Sequence, residues 1–582
     1  MLNTVKVRIE IPISTITMLI ACTVHAINSH MNHSIMPYAI SNGVELSDQD
    51  LKDPTSQSNR QDKNVRKREA KFHLNGTRRY FRGYCENTSI HGFKYLAENR
   101  TLCERIIWFL LISLSIAACG FWIIRIYYKY VTSPVIVSFA TKESPLHAIP
   151  FPAVTVCPMT KVRKSVFNFT RVVYDIMDEK NITDEEQLYG QYLSLVCYYG
   201  QKYFRPKNTF NANDFYEKID QMKLNISEYT DGCQYLVDAD VSCEKLFHPI
   251  ILDESVCYTF NMLDRTDIFQ DKVFHFKNYH VTAKSPHWDI DKGYTNVTDA
   301  FKTYPYNAYL AGYGNGLQIT FKQPASELDY MCLQSLQGFS VALHAPHVLP
   351  QLNKQFFQVS FGDAVMAAVQ PKMMKTSQKV RKYHPDTREC YFTNEKYLTY
   401  FKQYTPSNCR LECYTNYTLE MCKCVQFFMP RNKTTPICGN GRRKCIKKVE
   451  FLLKVWQLKY TANQKSDTYF CDCKPSCVDI TYMVEHSQSI WNYKELHLAR
   501  RRKPVNESYL YARLTIFFKQ ESFLTSERNE LYGPTDFLAN FGGLLGLFTG
   551  FSFLSLAEII YFLSVRICCN FRLYNIWTGP KN

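Results

Sequence analysis

Two long apolar runs stand out against the mixed pattern of the rest of the chain. The first, Ile106 to Ile124, carries no charge and is bounded by Arg105 and Arg125. As a helix it spans roughly 29 Å, close to the thickness of the hydrocarbon core of a bilayer. The pattern therefore predicts a first transmembrane helix, which we place at residues 106–126.

The second run, Phe537 to Val565, contains a single charge, Glu558. As an ideal helix it measures roughly 43 Å, too long for an untilted span. It also contains four glycines, which allow either close contact between helices or a break in a helix. These are Gly542, Gly543, Gly546 and Gly550. A dimerisation face between two helices explains the glycines. A helix that lines a pathway through the membrane explains both the glycines and the length of the run.

The charges next to the two runs predict their orientation. Residues 60–105 contain 12 Lys or Arg and 5 Asp or Glu, and the tail after Val565 contains Arg566, Arg572 and Lys581 with no acid. The positive-inside rule places both segments in the cytoplasm. The predicted order is a cytoplasmic region 1–105, the span 106–126, an extracellular domain 127–536, the span 537–565 and a cytoplasmic tail 566–582.

The amino terminus allows a second interpretation. Lys6 and Arg8 precede a weakly apolar stretch and Val24-His25-Ala26, a pattern similar to a secretory signal with a small-residue cleavage site. A working signal over residues 1–26 would place the large loop in the cytosol, which its cysteines oppose. Residues Asn42 to Arg68 are polar and charged and predict disorder.

The region between the runs predicts an α+β domain. Leu317 to Lys322 and Ser340 to His344 alternate like half-buried strands, and Tyr511 to Lys519 is a third candidate strand. Residues around Arg410 to Glu420 and Lys448 to Lys459 have helical patterns. The predicted class is an α+β membrane protein with two transmembrane helices.

Cysteines indicate an oxidising compartment for this domain. Sixteen of the 22 cysteines lie between Cys157 and Cys477, an even number, as a disulfide framework requires. Their short spacings are C-x3-C and C-x-C rather than the paired C-x2-C of zinc sites, so disulfides are favoured over metal. Cys85, Cys103 and Cys119 are expected to be reduced. Cys568 and Cys569 are either palmitoylated or free thiols.

Composition excludes several classes of protein. A mean hydropathy of −0.27 excludes a transporter with many spans, and the net charge of +16 forms no long basic stripe interleaved with aromatics, so no nucleic-acid partner is predicted. The chain contains no G-x-S-x-G, no H-E-x-x-H and no phosphate-binding loop. We therefore predict no enzyme activity, no cofactor and no bound metal.

Four blocks in order carry a resemblance to a known family. They are Cys85-Glu86-Asn87-Thr88-Ser89-Ile90-His91-Gly92, Phe151-Pro152-Ala153-Val154-Thr155-Val156-Cys157, the cysteine run from Cys409-Arg410-Leu411-Glu412-Cys413 to Met429-Pro430, and Gly542 to Ser552 followed by Glu558. With these blocks the chain resembles the degenerin/epithelial sodium channel family, most of all its insect pickpocket branch, from about residue 80 to 566.

The resemblance implies an amiloride-sensitive, sodium-selective channel in the plasma membrane. Three copies of this chain, or of related subunits, would surround one pore in contact with membrane lipid, with Na⁺ as the permeant ion. Gly550, Phe551 and Ser552 match the selectivity filter, although Phe551 is bulky for its position. A filter needs backbone carbonyls or hydroxyls that replace the hydration shell of an ion, and glycine permits the unwound backbone.

Further site residues are implied by the resemblance. Ala539 matches the small residue whose enlargement holds the pore open in the family. Its neighbour Asn540 stands where the family frequently has an Asp, so an acidic outer ring is weakened. Asp536 would partly substitute for that missing acid. Glu558 either faces the pore or a partner, or extends toward the cytoplasmic interface. His91 and Gly92 match a gating motif that forms a re-entrant loop in the family.

The resemblance also implies a disulfide pairing. The implied pairs are Cys157–Cys257, Cys233–Cys243, Cys390–Cys477, Cys409–Cys473, Cys413–Cys471, Cys422–Cys445 and Cys424–Cys438, which leaves Cys197 and Cys332 to pair by elimination. Glycosylation sequons in the predicted extracellular domain are Asn168, Asn181, Asn225, Asn296, Asn416, Asn432 and Asn506.

Two functions from different classes follow. The first is a cation channel subunit that conducts Na⁺ passively. The second, motivated by Phe551, Asn540 and the unusual amino terminus, is a non-conducting or obligate heteromeric auxiliary subunit, or a cell-surface receptor on the same scaffold. The pattern identifies no extracellular ligand.

Overall fold

The computed structural model describes residues 76–132, 135–197, 199–204, 212–236, 238–295, 303–332, 336–462 and 471–580. These residues form two compact units: unit 1 comprises the described residues before 135 and after 530, and unit 2 comprises residues 135–530. The signal-like segment 1–26, the stretch 42–68 with its predicted disorder and Asn296 lie outside the described residues.

The longer helices are numbered here in chain order. They are α1 (residues 76–87), α2 (Phe93–Ala97), α3 (Leu102–Thr132), α4 (Phe169–Met177), α5 (Asp184–Leu193), α6 (Phe215–Met222), α7 (Pro406–Cys422), α8 (Arg443–Ala462), α9 (Tyr493–Ala499), α10 (Pro534–Thr549), α11 (Phe553–Ile560) and α12 (Arg566–Tyr574). A π-helical segment, Tyr561–Val565, joins α11 to α12. Single-turn helices cover Ile226–Tyr229, Cys243–Leu246, Arg265–Ile268, Gln378–Arg381 and Pro385–Arg388.

The strands are likewise numbered in chain order. They are β1 (Val135–Phe139), β2 (Ser144–Pro145), β3 (Ala153–Pro158), β4 (Thr230–Tyr235), β5 (Asp238–Val241), β6 (His248–Leu252), β7 (Ser255–Phe260), β8 (Trp288–Asp289), β9 (Gly293–Tyr294), β10 (Leu317–Pro324), β11 (Phe339–His344), β12 (Phe357–Val359), β13 (Asp363–Thr376), β14 (Asp479–Ile490), β15 (Tyr509–Phe518), β16 (Ser522–Phe523) and β17 (Ser526–Glu530).

Among the described residues, unit 1 contains two segments that are long and apolar enough to cross a membrane, Leu102–Thr132 and Phe553–Tyr574. The first extends beyond the predicted bounds 106–126 at both ends, because the helix continues through Arg105 and Arg125 into more polar sequence. The second predicted span, 537–565, is divided in the structure: α10 ends at Thr549, and a new helix begins at Phe553 and runs on to Tyr574.

Unit 2 is built on two larger sheets and one large apolar core. An eight-stranded sheet has the order β1-β17-β13-β15-β10-β4-β5, with β14 paired to β13, and a five-stranded sheet has the order β12-β11-β3-β7-β6. Strand β10 shows why the alternation predicts a strand, since Leu317, Ile319 and Phe321 are buried and the residues between them are partly exposed. All three predicted strands and both predicted helices are present, as β10, β11, β15, α7 and α8.

Helices α7 and α8 pack on each other beside the sheets. The hydroxyl of Thr405 caps α7 by accepting a hydrogen bond from the amide of Asn408 at 3.0 Å, and Pro406 occupies the first helical position, where no amide donor is needed. The buried face of α8 centres on Val449, and the ring of Trp456 lies 5.6 Å from that of Tyr417 on α7.

Candidate functional site

The predicted second span, residues 537–565, is interrupted at Gly550-Phe551-Ser552, between α10 and the segment Phe553–Tyr574. Gly550 ends α10 with φ 65° and ψ 16°, a left-handed conformation that favours glycine. Ser552 starts α11 as its cap: its amide donates to the hydroxyl of Ser555 at 3.0 Å, and the amide of Ser555 donates back at 3.3 Å. The three residues matched to the filter are thus the non-helical link between two capped helices.

The carbonyls at this break divide into two groups. The carbonyl of Phe548 accepts from the hydroxyl of Ser115 at 2.5 Å, and that of Thr549 accepts from the amide of His91 at 3.0 Å. Within the part of the chain that the structure describes, the carbonyls of Gly550 and Phe551 accept no hydrogen bond. Unsatisfied carbonyls are costly at membrane depth, so this link calls for water or an ion as its partner.

The His-Gly pair lies directly against the break. Gly92 has φ 89°, and a Cβ added there would lie 2.8 Å from Cγ1 of Ile112. A Cβ added at Gly550 would lie 2.6 Å from the imidazole of His91. Both positions therefore accept only glycine without movement of their surroundings, and the structure brings together residues that are more than 450 positions apart in sequence.

Glu558 is held by the residues that precede the His-Gly pair. Its carboxylate accepts from the amide of Ser89 at 2.9 Å, from the hydroxyl of Ser89 at 3.1 Å and from the hydroxyl of Thr88 at 3.4 Å. The hydroxyl of Ser89 also lies 2.7 Å from that of Ser555, which is fully buried. Hydrogen bonds to a charged carboxylate are strong, so the half-buried Glu558 links α11 to the segment between α1 and α2.

Helix α10 has two different faces. On one face the ring of Phe537 lies 5.1 Å from that of Tyr130 and 6.3 Å from that of Tyr127, both on α3. The other face carries small, exposed residues: Ala539, Gly542, Gly543 and Gly546. A Cβ added at any of these three glycines meets no atom within 4 Å. This small-residue face is therefore uncovered in a single copy of the chain.

The residues predicted near an outer acidic ring have local roles at the start of α10. The carboxylate of Asp536 accepts from the amide of Gly533 at 3.1 Å, which caps the helix. The side-chain amide of Asn540 donates to the carbonyl of Asp536 at 2.7 Å. Both side chains are exposed, and the only charge they contribute is the carboxylate of Asp536.

A cavity of about 410 Å³ lies beside the break. The first span contributes Trp108, Leu111, Ile112, Ser115 and Ile116, the His-Gly segment contributes residues 90–93, and the second span contributes Phe548, Thr549 and Phe551. Trp108 is fixed by stacking on Tyr95 at 4.3 Å. The lining of the cavity is apolar apart from a few polar atoms.

Eight disulfides crosslink unit 2, seven in the pairs that the resemblance implies and the eighth between the two cysteines that this pairing leaves over. They are Cys157–Cys257, Cys197–Cys332, Cys233–Cys243, Cys390–Cys477, Cys409–Cys473, Cys413–Cys471, Cys422–Cys445 and Cys424–Cys438. With other described residues, Cys85, Cys103, Cys119 and Cys568 form no disulfide. Of the six described sequon asparagines, Asn181, Asn225, Asn416, Asn432 and Asn506 are exposed and Asn168 is half-buried.

Sequence reasoning missed the polar residues that connect the site. Thr88 and Ser89 lie in the first block of the resemblance, separated from the His-Gly pair by Ile90, but the resemblance assigns them no role. Ser552 and Ser555 are separated by three positions, the spacing of a helix cap, and this signal was available in the sequence. Ser115 lies within the first apolar run, whose pattern gives it no role of its own.

These features define a membrane protein with two spans, a broken second span and a disulfide-rich domain between them. The model of the amiloride-sensitive sodium channel family matches residues 84–562, most of the chain. The chain belongs to this family, as the four sequence blocks predict, and its relatives are ion channels rather than enzymes. It is accordingly a two-span protein of the plasma membrane.

Individual relatives agree with this assignment. Pickpocket protein 28 of Drosophila melanogaster is 27% identical over 512 residues, which cover 84% of this chain and 78% of the relative. Sodium channel protein Nach of Drosophila melanogaster is 25% identical over 85% of this chain and 89% of its own length. Human acid-sensing ion channel 2 is 26% identical over 43% of this chain and 48% of its own length.

Proposed function

We propose that this chain is a subunit of an amiloride-blocked, sodium-selective channel that conducts Na⁺ passively. In this proposal three copies of the chain, or of related subunits, surround one pore. The disulfide-rich domain faces the extracellular space and both termini are cytoplasmic, as the charges beside the spans and the disulfides indicate. The observation that carries the proposal is the break at Gly550-Phe551-Ser552, with two carbonyls that accept no hydrogen bond from the described residues.

The break supports an ion pathway because of what its carbonyls lack. A dehydrated cation needs several oxygen ligands at once. One subunit offers the carbonyls of Gly550 and Phe551 and the exposed hydroxyl of Ser552. Copies of the same link around an axis would supply a ring of such oxygens. The packing of His91 against Gly550 would hold each link in position.

The small-residue face of α10 supports the same arrangement. Ala539, Gly542, Gly543 and Gly546 allow close approach between copies of α10 or leave space along an axis. Ala539 lies on this face, so added volume there would oppose the close approach of helices in a shut pore. This is the steric basis on which Ala539 is proposed as the gate position.

A second candidate function is an obligate heteromeric or non-conducting subunit. It is favoured by the start of α10, where Asn540 contributes no charge and the carboxylate of Asp536 is engaged in a helix cap. Phe551 also adds bulk to the break. Another subunit would then have to supply the acidic groups and the open filter.

Voltage clamp on cells that express this chain alone tests the proposal. We would compare the wild type with Ala539→Val, and with Ala117→Val as a matched substitution at an exposed position of the first span. The expected result is an amiloride-blocked current with a reversal potential near the equilibrium potential of Na⁺. This current should grow in Ala539→Val and not in Ala117→Val. Absence of current in all three, with protein at the surface, would instead favour the obligate subunit.

A further inference from the structure

A cluster of four consecutive cations follows α9 in the disulfide-rich unit. It consists of Arg500, Arg501, Arg502 and Lys503, which we call the basic turn, and all four residues are exposed. In the described part of the chain no ion pair joins a carboxylate to any of them. Four adjacent positive charges without internal partners repel one another, so the fold alone gives no reason for their presence.

The backbone of the basic turn is fixed. The amide of Arg501 donates to the carbonyl of Leu498 at 3.0 Å, and that of Arg502 donates to the carbonyl of His497 at 2.9 Å. Nδ1 of His497 lies 3.2 Å from the carbonyl of Lys503. Arg501 has φ 51°, a left-handed conformation that glycine or asparagine adopts more readily. Together these bonds are the cap with which a left-handed residue ends a helix, so the basic turn is a defined C-terminal cap of α9.

The helix that carries the turn is anchored to the eight-stranded sheet. The hydroxyl of Tyr493 donates to the carboxylate of Asp231 at 2.8 Å, and its ring lies 4.6 Å from that of Tyr511. The side chain of Asn492 caps α9 by accepting from the amide of Glu495 at 3.2 Å. Because the base is rigid, ligand binding would cost little ordering of the backbone.

The position of the turn within unit 2 limits its partners. Helix α9 follows the end of β14 at Ile490, which pairs with Asp363, whereas the opposite end of β13 pairs with β17 through Thr376 and Arg528. These two ends of β13 are about 43 Å apart for an extended strand. The basic turn therefore lies near the opposite end of β13 from β17.

We propose that the basic turn is a docking site for a sulfated polysaccharide of the cell surface or extracellular matrix. A guanidinium group matches the oxygens of a sulfate with two parallel hydrogen bonds, and three arginines in sequence suit a polymer with closely spaced sulfates. This inference rests on the outward orientation of the domain in the proposed function. It does not depend on whether the chain conducts ions.

The test uses the purified full-length protein and immobilised heparin as the probe. The variant replaces Arg500, Arg501, Arg502 and Lys503 with glutamine. The matched control replaces Lys444, Lys447, Lys448 and Lys454 with glutamine, which removes the same charge from exposed positions of α8. Equal elution in size exclusion and equal thermal unfolding of all three proteins show that the substitutions leave the fold intact.

At near-physiological salt we expect the basic-turn variant to lose affinity for heparin by about tenfold or more, and the control variant by about twofold at most. Binding of the wild type to heparin should weaken steeply as the salt concentration rises. Desulfated heparin should not compete. Equal losses in both variants would overturn the proposal in favour of a general charge effect. An unchanged basic-turn variant, or preference for vesicles of anionic lipid over heparin, would also overturn it. If the wild-type protein binds heparin but carries no current, only the proposed function is contradicted.

Discussion

At the scale of single residues, the site depends on two glycines that touch side chains from elsewhere in unit 1. Gly92 and Gly550 both have positive φ, and each faces a side chain where a Cβ would be placed, Ile112 for the first and the ring of His91 for the second. The left-handed conformation costs a non-glycine residue roughly 1–2 kcal/mol before any steric contact is counted. These glycines let the His-Gly segment approach the broken helix.

We therefore expect Gly92→Ala and Gly550→Ala to disturb the site, whereas Gly120→Ala should not. Gly120 lies within α3, and an added Cβ there meets no atom within 4 Å. Current normalised to surface protein should change by about tenfold or more in the first two variants, the size of effect that 1.4 kcal/mol produces in an equilibrium. If all three alanines behaved alike, the close packing at Gly92 and Gly550 would not matter for function.

At the scale of elements, the site is a contact between a short pre-span segment and two half-helices. The amide and hydroxyl of Ser89 and the hydroxyl of Thr88 converge on the carboxylate of Glu558. Further along the same segment, the amide of His91 donates to the last residue of α10. The segment thus contacts the second span on both sides of the break, so movement of either half-helix must move it or break these bonds.

A double-mutant cycle tests this coupling. Ser89→Ala removes one donor to Glu558, and Glu558→Gln removes the charge that makes the bonds strong. We expect each substitution to change the open probability. The open probability of the double variant should differ little from that of Glu558→Gln alone, which corresponds to a coupling energy between the two residues of about 1–3 kcal/mol. Ser113→Ala, at an exposed position of α3, serves as the control.

Single-channel recording gives the open probability directly. Additive effects of the two substitutions would show that Ser89 and Glu558 act independently, and would contradict the link that the structure displays. A change caused by Ser113→Ala of the same size would point to a general effect of altering serines in the membrane.

The sequence predicts the elements of this protein better than it predicts their contacts. Strand β10 and helix α7 follow from the periodicity of a few neighbouring residues, and both spans follow from local hydropathy. The family resemblance additionally implied the disulfide pairs. The bond between Ser89 and Glu558 joins residues 469 positions apart, and no local pattern encodes it. The break at Gly550 was indicated by glycine content, whereas the two carbonyls there that accept no hydrogen bond from the described residues became visible only in the structure.

At the scale of the whole molecule, the disulfide-rich unit contains a half-buried carboxylate that is poorly compensated. Asp253, in the turn between β6 and β7, has a buried carboxylate oxygen that accepts no hydrogen bond from the described residues. Burial, with the neighbouring carboxylate of Glu254, raises the pKa of Asp253 to about 6. The nearby ammonium of Lys161 is buried, but it pairs with Glu254 at 3.2 Å and so compensates Asp253 only in part.

This pKa predicts how the stability of the unit depends on pH. Because the pKa of Asp253 is higher in the folded than in the unfolded chain, the folded state binds the extra proton between about pH 4 and pH 6. The contribution of this group to stability is therefore full below about pH 4 and is lost as pH rises through 6. At pH 7.5 the folded state must bury a charged carboxylate.

We expect Asp253→Asn to raise the thermal unfolding temperature of the purified protein at pH 7.5, by a few degrees for a stabilisation of about 2 kcal/mol. The difference from the wild type should shrink toward zero at pH 4.5, because the wild-type carboxyl is then neutral as well. Asp271→Asn is the matched control, since the Asp271 side chain is 91% exposed and its pair with Lys402 is a surface contact worth little. A stabilisation by Asp253→Asn that is equal at both pH values would show that the effect comes from packing rather than from the buried charge.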